Sequence, residues 1–554
     1  MWPRNLVFSG LCLLGLGAIA ANLLSRDRVR TPESFRATFA RQADIRDVVK
    51  NINDEFLAFW ETENLSQAEP APPLLIARRL SLALTGTVPS LEELRTLETV
   101  DQADQVDWWL AHLLEDRRYH DYVAERLARA FVGTQDGPFI LYRRRRFVSW
   151  LSDQLAGNVA YDEVIRQLIS EQGLWTSNPS VNFLTVTIDE NEENQPDEIN
   201  LASRTARAFL GMRIDCLQCH DDRLGNVNLG LAAAPRQGLQ SDFHRLAAFF
   251  GEAELGITGV KDNAELTYKF KYPEVEEAVV DAAVPFFPDL LTTDLPLRQQ
   301  LAMWVTHDRN QAFARATVNR VWALLFGRPL VDPIDDIPLF GTDKPDDPFY
   351  APAIDTLAND FVDHGCDLRR LIRVIVATRP FQMDSQSEFS IGPEHESAWA
   401  VFPLSRLRPE QVAGGLIQAC SLKTIDAESH ILVQLVRFFQ QNEFVSRYGD
   451  TGDDEFGQYA GTVTQRLLMM NGDLVKERTG EGGFRASARI ANLASDDETA
   501  VKTAYLAVLT RAPLDEELQQ FSKRLDGVTG TAREERLEDL FWTLLNSTEF
   551  SWNH

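Results

Sequence analysis

Two cysteines and one histidine stand close enough together in this chain to share one cofactor. They lie in the pentapeptide Cys216-Leu217-Gln218-Cys219-His220. C-x-x-C followed at once by His is typical of covalent attachment of c-type haem. From one exposed or pocket-facing helical turn the two thiols can meet the two vinyl groups of the porphyrin, and the adjacent imidazole, directed into the same cavity, can face the iron. The spacing therefore predicts Cys216 and Cys219 as attachment residues and His220 as the proximal metal ligand.

The same spacing has two other interpretations. A C-x-x-C pair can form a disulfide or a redox-active dithiol, and it can supply half of a zinc site. A zinc site needs two further ligands, and the chain has no second C-x-x-C and no H-x-x-x-H. Only five cysteines occur in 554 residues, and of the other three, Cys12 lies in an apolar stretch while Cys366 and Cys420 stand alone. Haem is the interpretation that the pattern favours.

A sixth iron ligand has few candidates near the motif. His244 follows the motif on an amphipathic segment, and we predict it as a second cofactor-binding histidine. Met212 is a weaker choice, because a methionine in an apolar segment is usually a core residue. If His244 instead makes ordinary hydrogen bonds, the sixth position stays open, which would allow small-molecule binding or redox catalysis.

The N-terminal 30 residues predict export, and haem is attached to such motifs outside the cytoplasm. Residues 6–24 carry no charge, and Arg26, Arg28 and Arg30 follow them. That apolar length is about what a bilayer requires. The segment is either a cleaved signal peptide or a retained anchor, and basic residues on both flanks leave its orientation open. We expect the body in the periplasm or cell envelope, in contact with a membrane only through this segment.

Composition limits the classes of partner. The formal net charge is −27. Nucleic acids and anionic lipid surfaces need a basic footprint on the protein, so neither is an expected partner. Neither G-x-S-x-G nor H-E-x-x-H occurs, so the common hydrolase signatures have no support, and the sequence does not settle whether the protein is an enzyme.

The elements that must position the motif are helices. Apolar residues recur at i, i+3, i+4 and i+7 through most of the chain, which predicts a mainly α protein of two packed helical domains. Ser90 and Glu93 form a capping-box signature that starts one of these helices, and 266–272 is the best strand pattern. The predicted units are a signal peptide or anchor (1–30), a helical stalk with a Pro-rich linker (31–73), a first helical domain (74–250), a connector (251–296) and a second helical domain (297–554).

Several segments in a fixed order resemble a known family. They are 78–86, 209–220 and 243–250 in the first half, and 319–322, 326–333, 371–375, 465–472 and 545–550 in the second. Together they are similar to a tandem pair of planctomycete cytochrome-associated domains of unknown function, the first with a Cys-x-x-Cys-His signature. The resemblance covers roughly residues 74–554.

The resemblance implies an exported, electron-transferring system, because the pair is often found with cytochrome c domains, but it supplies no established activity. The chain also departs from the family pattern, which commonly has C-H-D-H-K-F-D. Here Asp221-Asp222-Arg223-Leu224-Gly225 follows the motif, so the second His and the Lys are missing.

Two functions therefore remain. The first is an exported protein that binds haem c and exchanges electrons with a redox partner protein. The second is a non-redox scaffold or binding protein of the cell envelope, in which Cys216 and Cys219 form a disulfide.

Overall fold

The computed structural model describes residues 43–134, 141–188, 195–231, 234–273, 275–340, 351–426, 428–449, 452, 456, 461–472, 474–475 and 486–554. Helices dominate these ranges, and strands occur only in short pairs. The predicted fold class, mainly α, is confirmed. The predicted export segment lies outside the described residues. Across the described ranges, no helix combines the length and apolar character needed to cross a membrane.

The first half contains most of the elements around the motif. Its helices are α1 (Ala43–Thr62), α2 (Pro73–Thr85), α3 (Leu91–Leu97), α4 (Gln105–Leu114), α5 (Arg117–Val132), α6 (Arg144–Ala156), α7 (Tyr161–Ser170), α8 (Asn182–Thr185), α9 (Glu198–Leu210) and α10 (Gln240–Ala247). Short 3₁₀ helices lie at Gln102–Asp104, Pro179–Val181, Asp215–Gln218 and Ala248–Phe250.

The second half continues with helices of similar length. They are α11 (Leu297–Val305), α12 (Gln311–Phe326), α13 (Ile354–Asp363), α14 (Leu368–Ala377), α15 (Arg379–Gln382), α16 (Pro393–Ser397), α17 (Pro409–Ala419), α18 (Ile431–Tyr448), α19 (Val463–Asn471), α20 (Ala486–Leu493), α21 (Asp497–Leu509), α22 (Asp515–Leu525) and α23 (Thr531–Leu545). Two 3₁₀ helices occupy Pro288–Leu290 and Glu549–Ser551.

The strands form four antiparallel pairs. They are β1 (Asn228–Leu231) with β2 (Ala234–Gln237), β3 (Ala253–Gly256) with β4 (Gly259–Asp262), β5 (Lys269–Phe270) with β6 (Ala278–Val279), and β7 (Ser405–Arg406) with β8 (Trp552–Asn553). The β5–β6 pair lies within the predicted connector, where 266–272 has the alternating pattern, and sets Lys269 opposite Val279. The last pair joins the C-terminal residues to the start of α17.

The two larger hydrophobic cores among the described residues divide at a different place from the predicted connector. The first core contains buried residues from Ile52 to Phe402, so it takes in both sides of 251–296. The second core is built mainly from residues 407–550. The predicted stalk contributes α1, whose Trp60 is fully buried in the first core and donates from Nε1 to the Ala398 carbonyl at 2.7 Å.

Helix α2 belongs to both cores. Leu80 packs in the first core and Leu82 in the second, so one helix joins the two. The helix ends because Gly86 takes the left-handed conformation (φ 67°), and a Cβ there would meet the ring of Tyr122 at 2.4 Å. Glycine alone fits both the φ and the close approach. The helix that follows starts at the predicted capping box, which is confirmed at Ser90 and Glu93.

Candidate functional site

The motif lies in a turn that directly follows a helix. Helix α9 ends at Leu210, and Gly211 leaves it in the left-handed conformation (φ 61°). A Cβ on Gly211 would lie 3.0 Å from Ile337 and 3.2 Å from Ala316. The Gly211 carbonyl accepts from the Ile337 amide at 2.7 Å. The second half of the chain thus fixes the point from which the motif turn departs.

Both cysteines lie on one exposed turn, as the spacing predicts. The turn is the 3₁₀ helix Asp215–Gln218, with Cys219 as its C-terminal cap. The Cys219 amide donates to the Cys216 carbonyl at 3.4 Å, so the cysteines stand at the two ends of the turn. Both side chains are exposed, and both thiols are free.

The sulfur and imidazole donors of the motif do not converge on one point. Across the described part of the chain, three metal-ligating side chains gather within 4.8 Å only at Glu93, His112 and Asp116. There Arg118 pairs with both carboxylates, so the charge that a cation would need is already neutralised. Within the described residues the motif therefore offers no third ligand close enough to share one zinc ion with its two thiols.

The electrostatics of the turn disfavour a reactive dithiol. Partial burial and the nearby carboxylates of Asp222 and Asp215 raise the pKa of the Cys216 thiol. A redox-active or nucleophilic cysteine depends on the opposite shift, because the thiolate is the reactive form. Cys216 is therefore a protonated thiol at neutral pH.

The hydrogen bond of His220 determines which ring nitrogen carries the proton. His220 is exposed, and its Nδ1 lies 2.8 Å from the carbonyl oxygen of Asp221. A carbonyl oxygen only accepts, so Nδ1–H donates, and in the neutral ring Nε2 then carries the lone pair. No partner engages Nε2 within the described residues. Metal-binding histidines have this arrangement, with one nitrogen held by a carbonyl and the other facing the metal.

Two aspartates shape the loop after the motif: Asp221 matches the first Asp of the pattern C-H-D-H-K-F-D, and Asp222 replaces its second His. The carboxylate of Asp222 accepts from the amides of Leu224, Gly225 and Val227 at 3.0, 3.1 and 2.9 Å. These backbone hydrogen bonds lower the pKa of Asp222. Asp221 accepts from the Gln240 amide at 2.8 Å, which attaches the loop to the start of α10. The one residue of the two that departs from the pattern, Asp222, thus provides the three hydrogen bonds within the loop.

Helix α10 also holds the turn itself. Two of its side chains donate to the carbonyl of Gln218: Nε2 of His244 at 3.0 Å and Nε2 of Gln240 at 3.0 Å. The other ring nitrogen of His244 lies 2.8 Å from the hydroxyl of Tyr268. The ring of His244 is fully buried and stacks on Phe270 with a centroid distance of 3.4 Å.

The structure brings all four predicted cofactor residues into one region. Cys216, Cys219 and His220 lie on the turn, and His244 packs against it with both ring nitrogens engaged. Met212, the weaker choice for a ligand, is buried in the first core.

Sequence reasoning missed three residues that hold the turn. Asp222 had a signal, because an Asp shortly before a Gly is typical of a turn in which the carboxylate binds the following amides. Gln240 and Tyr268 had none, since they reach the site only through long-range packing.

The donor set and the surface fit a haem attached at an exposed site. The chain provides two free thiols and an imidazole with an available Nε2. Leu224 in the loop after the motif and Leu239 at the start of α10 are 84% and 41% exposed.

Comparison with known families places two domains on the chain. Residues 51–254 match the model described as PSCyt2, protein of unknown function (DUF1549). Residues 297–447 match the model described as PSD1, protein of unknown function (DUF1553). The motif turn and α10 lie in the first match, and the gap between the matches contains the β5–β6 pair. No curated protein and no solved structure matches the chain.

Proposed function

We propose that this chain is an exported c-type haem protein that transfers electrons. The chain belongs to the family of planctomycete cytochrome-associated domains of unknown function, as a tandem of a PSCyt2 and a PSD1 domain. The family gives the association with cytochromes and no activity. The finer assignment rests on the motif turn.

The observation that carries this proposal is the state of His220. Its Nδ1 is held by a backbone carbonyl and its Nε2 is available, and both thiols of the same turn are free and exposed. A structural disulfide places no demand on the tautomer or the exposure of a neighbouring histidine. A haem-binding turn requires an available nitrogen on that residue.

Each residue of the motif would have one role in binding haem. Cys216 and Cys219 would each add a thiol S–H across one vinyl group, a step that needs no oxidant. His220 would present Nε2 to the iron, with the Asp221 carbonyl fixing its ring. Haem, when bound, supplies one-electron chemistry. The acidic surface of the chain would favour a redox partner with a basic docking face, because opposite charges steer protein association.

Location is part of the same proposal. Covalent haem attachment at this motif takes place outside the cytoplasm, and the apolar stretch at 6–24 can direct export. We therefore place the body in the periplasm or cell envelope, either released or anchored by its N-terminal segment.

A reduced pyridine haemochrome spectrum tests the proposal. The full chain is produced in a host with c-type haem attachment machinery and purified after export. We expect the spectrum of haem attached through two thioether bonds, and its loss in the Cys216→Ala/Cys219→Ala variant. The matched control is Cys366→Ala/Cys420→Ala, which removes two buried cysteines remote from the turn in sequence and should leave the spectrum unchanged.

The alternative function, a non-redox scaffold, predicts a different result for the same samples. If the chain is a scaffold with a Cys216–Cys219 disulfide, the wild-type protein shows no haemochrome, and His220→Ala has no spectral effect. A wild-type chain without haem under these conditions contradicts the haem proposal.

A further inference from the structure

The turn that carries the cysteines is held at its centre by one buried histidine. The carbonyl of Gln218 lies between Cys216 and Cys219 in sequence, and it accepts from Nε2 of His244 at 3.0 Å. Gln240 donates to the same oxygen from one turn earlier on α10. His244 is therefore bound to the motif through the backbone, and its Nε2 is occupied by that contact.

The hydrogen bonds of His244 define a single tautomer. Because the Gln218 carbonyl can only accept, Nε2 carries the proton. Nδ1 of the neutral ring then accepts, and its partner at 2.8 Å, the hydroxyl of Tyr268, donates. Burial lowers the pKa of His244, which favours the same neutral ring. The direction of both hydrogen bonds follows from the chemistry of the partners.

Aromatic side chains fix the plane of this ring. Phe270 stacks on His244 at 3.4 Å, and Tyr272 meets its face edge-on at 5.7 Å. Phe270 lies in β5, and Tyr268 and Tyr272 flank it in sequence. The segment around the β5–β6 pair thus supports His244 from the side opposite to the motif.

We propose that His244 is the positioning residue of the haem-attachment turn, and that Tyr268 selects the tautomer with which it does so. In this role His244 holds the Gln218 carbonyl and thereby sets the spacing and orientation of the two thiols and of His220. It gives no nitrogen to the iron, and the sixth coordination position is left to another group. The link to haem rests on the proposed function. The hydrogen bonds that join His244 to the Gln218 carbonyl and to Tyr268, called the clamp below, do not depend on it.

Hydrogen–deuterium exchange on the purified full chain without haem tests the clamp directly. In His244→Phe, which keeps an aromatic ring and loses the donor, we expect the amides of residues 216–222 to exchange about fivefold faster, the factor that corresponds to one net hydrogen bond. Tyr268→Phe should show a smaller increase in the same peptide. The control is His120→Phe, at a buried histidine on α5, which should leave this peptide unchanged.

Haem loading in the host with attachment machinery separates a positioning residue from an iron ligand. We expect His244→Phe and Tyr268→Phe to lower the fraction of chains that carry haem, while the absorbance spectrum of the loaded fraction stays that of the wild type. A changed spectrum with normal loading would make His244 an iron ligand and overturn the proposal.

The clamp and the haem function can be disproved independently of each other. Unchanged exchange at 216–222 in both His244→Phe and Tyr268→Phe overturns the clamp, whatever the haem content. If no chain carries haem but exchange rises as expected, the clamp stands and only the haem function falls. If His244→Phe does not fold, Tyr268→Phe gives the decisive exchange measurement.

Discussion

Asp222 is the residue on which the loop after the motif depends most. Its carboxylate accepts three backbone amides, an arrangement that stabilises the charged form and lowers its pKa. The same charge stands near Cys216 and, together with burial, raises the pKa of that thiol. One side chain therefore orders the loop and adds to the effect of burial in raising the pKa of Cys216.

Replacing Asp222 with Asn should lower the pKa of Cys216. The variant removes a negative charge that disfavours the thiolate, so more thiolate is present at any pH near neutrality. In a Cys219→Ser background, the midpoint of the pH profile for alkylation of Cys216 should move to lower pH. Asp308→Asn, an exposed change remote in sequence, is the control. A midpoint that stays in place or rises would contradict this electrostatic account.

At the residue scale, the sequence predicts the residues of the motif but not the residues that hold the motif turn in place. Cys216, Cys219 and His220 are predictable because their spacing alone carries the pattern. The sequence predicts His244 as a cofactor-binding histidine, but the hydrogen bonds that engage both of its ring nitrogens could not be predicted. Those hydrogen bonds depend on the fold bringing Tyr268 and the Gln218 carbonyl to opposite nitrogens of one ring.

At the element scale, Glu93 of helix α3 takes part both in a local capping box and in ion pairs with two other helices. Ser90 and Glu93 form the predicted capping box, with the Ser90 amide donating to Glu93 at 2.8 Å. Glu93 is buried, and it also pairs with Arg118 of α5 and His112 of α4. Burial alone would raise the pKa of Glu93, but Arg118 and His112 outweigh it and hold the pKa far below its ordinary value.

Glu93→Gln should destabilise the protein by about 3 kcal/mol at neutral pH, because it leaves Arg118 buried with a weaker partner set while keeping the capping box. The lowered pKa contributes stability above the ordinary carboxyl pKa, and this contribution is lost as the pH falls toward the folded value. The difference from wild type in urea unfolding should therefore shrink in acid. Glu98→Gln, an exposed change in the same helix region, is the control; a difference independent of pH would contradict the ion-pair explanation.

The whole molecule is joined by two buried arginines on α2. Arg79 donates to the carbonyls of Phe381, Met383 and His554 at 3.1, 2.7 and 2.8 Å, and its guanidinium stacks on Phe402 at 3.6 Å. Its neighbour Arg78 donates to Val508 and Phe550. A single short helix thereby anchors backbone from both cores.

Arg79→Lys should lower the unfolding temperature of the whole chain. Lysine keeps the charge but has no planar fork, so it cannot satisfy three carbonyls and an aromatic face at once. The expected loss is roughly 3 kcal/mol, as for loss of charged hydrogen bonds in a buried site. Thermal unfolding should show the shift, and limited proteolysis should open the C-terminal residues first. An unchanged unfolding temperature, equal to that of the exposed control Arg95→Lys, would contradict the joining role.

Helical periodicity does not predict which helices share a hydrophobic core. The pattern correctly indicates a mainly α chain, because it reports which face of each helix is buried. It does not report the partner of that face. Helix α12 buries Phe313, Val318 and Trp322 in the first core although it follows the predicted connector. Its contacts with α9 and α2 are long-range, and no local signal in the sequence specifies them.

The mass of the exported chain is the most direct test of the central claim, that the motif turn carries covalent haem. The full chain is purified from a host with haem attachment machinery, its intact mass is measured, and its peptides are mapped. The account predicts the added mass of one haem, located on the peptide that contains Cys216, Cys219 and His220. A chain with unmodified thiols, or with only the loss of two hydrogens between Cys216 and Cys219, would contradict it.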